Sequence, residues 1–228
     1  MASRSLTSQE QTVIDAVSTD TLMTATNAIA HWVRLSGTPE EAEAFDWIES
    51  TLQGYGLDTT RYEHPALVSW PESASLTIRT GDGETTRIPC STHAFALNTP
   101  RGGLTGELVA VGRGSEGELA NMDVAGRIVL VDGIIAPNRN LAVEAAGVAG
   151  SIWIAGTHLH ERALSPVWGT PTPETAHLLP TTPSISVNAE NGATIKAALV
   201  RGPVEVTIET SVYQGWRQLP LLIADLRP

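Results

Sequence analysis

The chain has 228 residues, which is enough for one large domain or two small ones. Its formal net charge of -11 disfavours binding to nucleic acid and to anionic membranes, because both present negative phosphates. The single cysteine, Cys90, excludes an internal disulfide and a thiolate metal cluster. No apolar run is long enough to cross a bilayer, and the first residues lack the apolar core of a signal peptide. We therefore expect a cytoplasmic protein.

The beginning of the chain follows helical patterns. Thr7 has the spacing of a capping residue before a short apolar segment. A second helix is predicted from Thr21 to Leu35, because apolar residues recur there every three or four positions. The third helix has the clearest start, since Thr38 suits the cap and Pro39 the first helical position. Gly56 fits its end.

From residue 57 onward the pattern changes to short strands. Apolar and polar residues alternate around Leu76, and a Gly-Asp-Gly turn leads into residues 84–88. The prolines and histidines between Thr157 and Thr182 predict a long loop, and long ordered loops are often functional. Further strands are predicted at 108–111, 127–131, 151–155, 185–187 and 204–208, helices at 141–149 and 188–199, and a final apolar run at 219–226.

A glycine motif, Gly112–Gly117, matches the G-x-G-x-x-G pattern of dinucleotide-binding folds, and Asp132 ends a later strand. Such folds need a long helix after the motif, whereas only about one turn, Glu118–Met122, fits before the next strand. The competing interpretation is a glycine-rich turn between two strands. The sequence alone leaves both open.

His158 and His160 are the candidate metal ligands, with Glu161 and His177 near them in sequence. Zinc sites use three or four ligands that neighbouring groups hold in place. These histidines lie in a proline-rich loop without a regular element to hold them. We interpret them as exposed loop residues and keep a metal site as the weaker alternative.

One segment resembles the opening of the zinc aminopeptidase family that includes glutamate carboxypeptidase. The matching residues are Ser36–Glu41, followed by Trp47, Ile48 and Leu57. A second series resembles the protease-associated domain that is inserted into those enzymes. Its matching residues are 106–109, 125–131 and 179–187, and its most specific part is the alanine-rich segment 142–153.

The resemblance implies an α+β fold in three parts. Residues 1–65 would form the helical start of an incomplete peptidase domain. Residues 66–215 would form a β-rich protease-associated-like domain with flanking helices, and 216–228 would be a strand returning to the peptidase domain. In the family, residues ahead of the alanine-rich helix can contact substrate. This assigns Asn138 and Arg139 to a substrate cleft, with Trp168 in the long loop as a further candidate.

The family binds zinc through residues on strands that follow the inserted domain, and these strands are expected beyond Pro228. The resemblance therefore implies that this chain is not catalytic alone and holds no cofactor. It would be a subunit or fragment of a metallopeptidase or amidohydrolase, giving scaffold and part of the cleft to a separate zinc-binding polypeptide. A peptide or another amide would be the substrate. The alternatives are a stand-alone peptide- or protein-binding module and a dinucleotide-binding enzyme that uses Gly112–Gly117.

Overall fold

The structure, a computed structural model, describes residues 6–167 and 169–227. Within these residues the fold is mixed α/β, with six α-helices and eight strands, which confirms the predicted fold class. The chain divides into two compact units. The first contains the residues up to Pro65 and those from Arg217 onward, and the second is Ala66–Trp216. No helix in the described ranges is long and apolar enough to cross a membrane.

The first unit is mainly helical. The predicted capping box at Thr7 is formed, because the Thr7 hydroxyl accepts from the Glu10 N–H while the Glu10 carboxylate accepts from the Thr7 N–H. The predicted start of the third helix at Thr38 and Pro39 is also confirmed. The elements are α1 (Ser8–Asp15), α2 (Thr19–Ala30), α3 (Pro39–Gly54), the beginning of β1 (Asp58–Thr80) and the end of β8 (Val204–Asp225).

The second helix ends earlier than its apolar pattern predicts. It stops at Ala30, whereas the sequence predicts a helix to Leu35. The side chain of Arg34 folds back and donates to the backbone carbonyls of Ile29 and Trp32. The end of a helix leaves carbonyl groups without partners, and this side chain satisfies two acceptors there. This local side-chain contact stabilises the early end of the helix.

The second unit contains most of the sheet. Its elements are β2 (Thr85–Ile88), β3 (Ser91–Thr92), β4 (Leu104–Ala110), α4 (Glu116–Leu119), β5 (Ile128–Asp132), α5 (Pro137–Ala145), β6 (Gly150–Ile154), a short 3-10 helix (Ala176–Leu178), β7 (Ser184–Val187) and α6 (Ala189–Arg201), together with the rest of β1 and β8. Four strands, β4 to β7, lie parallel in sequence order, while β3 pairs antiparallel with β7 and β8 pairs antiparallel with β4. The strand order is β2-β1-β8-β4-β5-β6-β7-β3.

Two hydrophobic clusters cover the faces of these parallel strands. Along β5, Ile128 and Leu130 belong to one cluster, and Val129 and Val131 belong to the other. Successive side chains of a strand point to opposite faces, so a strand covered on both sides has a continuous apolar run. Trp153 of β6 is completely buried in the second cluster. The candidate site lies at the carboxyl ends of these buried parallel strands.

Two strands are much longer than predicted. The structure has a continuous β1 of 23 residues and a continuous β8 of 22 residues, where the sequence indicates separate short segments. Pro65 and Pro71 lie within β1, and Pro220 lies within β8. Proline has no N–H to donate to a neighbouring strand, so it argues against a strand in any local pattern. Pairing between β1 and β8, which are distant in sequence, keeps both extended.

Candidate functional site

The loops that follow β4, β5 and β6 form the candidate site in the second unit. Ligands of open parallel sheets commonly bind outside the carboxyl ends of the strands. Three sequence-predicted features lie on these loops: the glycine turn Gly112–Gly117, the pair Asn138–Arg139 at the start of α5, and the long loop after β6.

The backbone N–H groups of the glycine turn bind a carboxylate from the same segment, that of Glu118. Glu118 accepts hydrogen bonds from the backbone N–H groups of Arg113 and Ser115, at 3.3 and 2.9 Å, and from the Ser115 hydroxyl at 2.6 Å. These bonds, led by that from the Ser115 side chain, lower the pKa of Glu118 below its ordinary value. The N–H groups that a dinucleotide phosphate would need are already bonded to a negative group, so this geometry favours the turn interpretation.

The connection from β4 to β5 corrects one detail of that interpretation. The sequence predicts only about one helical turn here, which is too short to pack across a parallel crossover. The structure nevertheless has β4 and β5 parallel, with an α4 of only four residues between them. A parallel crossover needs about a dozen residues or more, and residues 111–127 supply enough chain without a long helix. The glycine turn is therefore part of a parallel crossover.

Arg139 ties the loops of this edge together. Its guanidinium donates to the carbonyl oxygens of Ile134, Arg113 and Asp132 at 2.6, 2.7 and 2.9 Å. It also lies 4.8 Å from the centre of the Trp153 ring. Burial, with a smaller effect of the neighbouring Arg113 charge, lowers the pKa of Arg139. Three of the five N–H donors of a guanidinium are thus used inside the protein. Binding of a substrate carboxylate by Arg139 stays a prediction.

Asn138 lies beside Arg139 but is exposed. It lines a cavity of about 520 Å³ with Pro137 and the loop residues 165–167, a volume within the usual range for small-molecule sites. The residue before α5, Ala136, has no side-chain cap to satisfy the first N–H groups of the helix. Asn138, which the resemblance assigns to a substrate cleft, therefore lies next to a cavity. Trp168, the third cleft candidate, lies outside the described residues.

The described residues do not fit a zinc site. His158 and His160 are exposed in the loop after β6. Across 6–167 and 169–227, no group of three or more His, Cys, Asp or Glu side chains is arranged to hold a metal ion. Cys90 packs against a hydrophobic cluster, and burial raises the pKa of its thiol to about 11.

A buried histidine–serine pair is the feature that the sequence does not reveal. The Nε2 of His93 lies 2.8 Å from Ser186 Oγ, and its Nδ1 accepts from the Arg162 N–H at 3.3 Å. A backbone N–H can only donate, so Nδ1 carries no proton and the neutral ring has its proton on Nε2, directed at the serine. A general base would need the opposite arrangement. Ser186 is therefore not activated as a nucleophile by His93. The sequence does not reveal the pair because its two residues are 93 positions apart and belong to no short motif.

Solved structures with a similar fold include aminopeptidases and a peptidase precursor. The chain is similar to an aminopeptidase from Aneurinibacillus sp. strain AM-1, with a TM-score of 0.67 and 20% identity over 89% of this chain and 47% of that one. For the peptidase M28 precursor from Shewanella amazonensis the TM-score is 0.62, with 18% identity over 90% and 49%. For a zinc aminopeptidase from Bacillus subtilis it is 0.58, with 19% identity over 85% and 44%.

This chain has the fold of part of a zinc aminopeptidase. It spans about half the length of those solved structures. No protein-family model matches the sequence, and no curated protein matches it either. At this level of identity the likeness shows the aminopeptidase fold alone, so activity, substrate and partner belong to the proposal below.

Proposed function

We propose that this chain is a non-catalytic part of a zinc aminopeptidase-like hydrolase of the cytoplasm. It would supply scaffold and one wall of the substrate cleft to a separate polypeptide that binds the zinc and cleaves a peptide or another amide. Residues 66–215 would act as a protease-associated-like domain. The likeness to about half of an aminopeptidase fold supports the proposal, and the lack of buried residues in the first unit supports it further.

The first unit lacks a hydrophobic core of its own. Among its described residues only Ala44 is buried, and neither α1 nor α2 contains a buried residue. Short helices are marginal in water, and most of their stability in proteins comes from packing an apolar face against another element. Because α1 and α2 lack such packing among the described residues, the proposal is that the zinc-binding part of the enzyme covers them.

The uncovered side chains are large and apolar. Val13 is 69% exposed, Val33 77% and Leu226 78%. The last part of β8, residues 219–224, is apolar at every position, a pattern typical of strands buried on both faces. Leu221 and Ile223 nevertheless remain 51% and 43% exposed. Exposed large apolar side chains in this number are typical of a protein interaction site, and the remaining half of a peptidase fold is the occupant that we propose.

The cleft wall is assigned to the second unit. Asn138 has an exposed amide that can both donate and accept, which suits the polar groups of a peptide. The cavity of about 520 Å³ beside it is large enough for one or two side chains of a substrate. Arg139 would support this wall through its three carbonyl bonds.

Amide hydrogen exchange tests the missing cover. In the purified chain alone, kept dilute so that it is monomeric, we expect amides of α1 and α2 to be nearly unprotected while those of β5 and β6 are strongly protected. The reason is that regions with few buried contacts open locally at low cost in free energy. Protection of α2 equal to that of β5 in the monomer would show that the first unit is stable without a partner, which contradicts the proposal.

A further inference from the structure

Three hydrogen bonds fasten the long loop after β6 to the segment that follows β3. The Arg162 N–H donates to His93 Nδ1 at 3.3 Å, the Ala94 N–H donates to the Arg162 carbonyl at 2.9 Å, and the Leu164 N–H donates to the Ala94 carbonyl at 3.0 Å. The Leu164 side chain is completely buried. Residues 162–164 are thus held at one point, and among the described residues His93 supplies the side-chain acceptor there.

This fastening requires a neutral imidazole. The His93 side chain is completely buried, its Nδ1 must accept from a backbone N–H, and its Nε2 faces Ser186 Oγ at 2.8 Å. The group that faces His93 from the sheet is therefore the Ser186 hydroxyl, which does not titrate in the pH range where a histidine does. In the described part of the chain, the charged group that acts on the imidazole is the guanidinium of Arg162, on the loop itself.

Protonation would break the fastening at a defined atom. The added proton would sit on Nδ1, so two donors, that N–H and the Arg162 N–H, would face each other. The imidazolium would also be buried beside a positive arginine without a compensating carboxylate among the groups that act on it. Burial first, and the Arg162 charge second, lower the pKa of His93 from 6.5 to about 4.

We propose that His93 is an acid-sensitive latch: neutral, it holds residues 162–164 in place, and protonated, it releases them. Ala163 and residues 165–167 line the cavity beside Asn138, so release would change one wall of that cavity. The latch does not depend on the peptidase proposal, because its bonds lie entirely within residues 93–186.

The direction of the pH effect follows from the two states of the latch. In the released state His93 is in water and has an ordinary pKa of 6.5, whereas in the fastened state its pKa is about 4. The latch is therefore fully effective above pH 6.5 and weakens as the pH falls toward 4. These two values predict that the opening equilibrium rises roughly 20-fold from pH 7 to pH 5.

Amide exchange of the full-length chain measures this opening. Protection factors, which remove the intrinsic pH dependence of exchange, are compared at pH 7 and pH 5 for Arg162, with Val129 of β5 as the measure of global unfolding. We expect the protection of Arg162 to fall roughly 20-fold and to stay well below that of Val129 at both pH values, because the latch opens without unfolding of the whole unit. An unchanged value at Arg162, or a protection of Arg162 equal to that of Val129, would overturn the latch.

The matched variant is His93→Asn, which keeps a hydrogen-bond acceptor close to the Nδ1 position but does not titrate. Its Arg162 protection is expected to be equal at both pH values, and a fall as large as in the unmodified chain would overturn the latch. If this variant does not fold, direct NMR titration of the His93 ring decides. A midpoint below pH 5 supports the latch, and one near 6.5 overturns it.

Discussion

The double substitution Leu221→Asp and Ile223→Asp is expected to weaken association with the proposed zinc-binding polypeptide by at least about 100-fold. Both side chains point from the same side of β8 and are half-exposed. Covering one Leu or Ile side chain contributes about 1.5–3 kcal/mol, and a carboxylate in its place would enter the interface without a partner. Affinity capture with the tagged chain, read as the zinc-containing polypeptide retained, measures the effect.

Val200→Asp is the matched control. Val200 is 88% exposed on α6 in the second unit, so its substitution introduces a carboxylate, one of the two that the double variant carries, at an apolar position outside the proposed interface. It should leave capture within about twofold of the unmodified chain, because isolated surface substitutions change stability little. If both variants retain the partner equally, or both lose it, the apolar end of β8 is not the binding surface.

Arg139→Ala is expected to destabilise the second unit by about 2–4 kcal/mol. The variant removes three charge-assisted hydrogen bonds to backbone carbonyls and the stacking on Trp153. Arg139→Lys should recover only part of this loss, since an ammonium group cannot reach three separate carbonyls as the planar guanidinium does. Urea denaturation followed by tryptophan fluorescence and far-UV circular dichroism gives the free energies of unfolding.

Two neighbouring residues provide the controls for Arg139. Arg113→Ala removes an exposed guanidinium of the same charge, and Asn138→Ala removes the exposed amide beside it. Each is expected to change the free energy of unfolding by no more than about 0.5 kcal/mol. A stable Arg139→Ala variant would instead favour the original prediction that Arg139 is reserved for a substrate carboxylate.

The fold was predictable wherever local patterns determine structure. The cap at Thr7, the start of α3 at Thr38 and the buried run of β5 are all visible in the sequence. Pairing between strands that are distant in sequence was not predictable in this way. The 23-residue β1 contains two prolines that argue against a strand, and only its pairing with the distant β8 explains why it stays extended. Local propensity and tertiary pairing conflict there, and pairing determines the structure.

The local structure around the candidate residues was partly predictable, but their hydrogen-bond partners were not. The sequence places Asn138 and Arg139 ahead of a helix predicted at 141–149, whereas the structure includes them in the first turn of α5. It does not show that Arg139 donates to the carbonyls of three other residues, because those partners are up to 26 residues away. Nor does it show that Glu118 fills the glycine turn, since a motif records only residue types. The His93–Ser186 pair leaves no trace in any local pattern.

The most direct test of the proposed function combines capture with metal and activity analysis. The tagged chain is purified alone and again with its captured polypeptide, and each sample is assayed for zinc by mass spectrometry and for cleavage of a leucine p-nitroanilide probe. We predict no bound zinc and no cleavage for the chain alone, and both zinc and cleavage for the complex. Stoichiometric zinc with cleavage in the chain alone would contradict the assignment of a non-catalytic scaffold, and so would a captured polypeptide that holds no zinc.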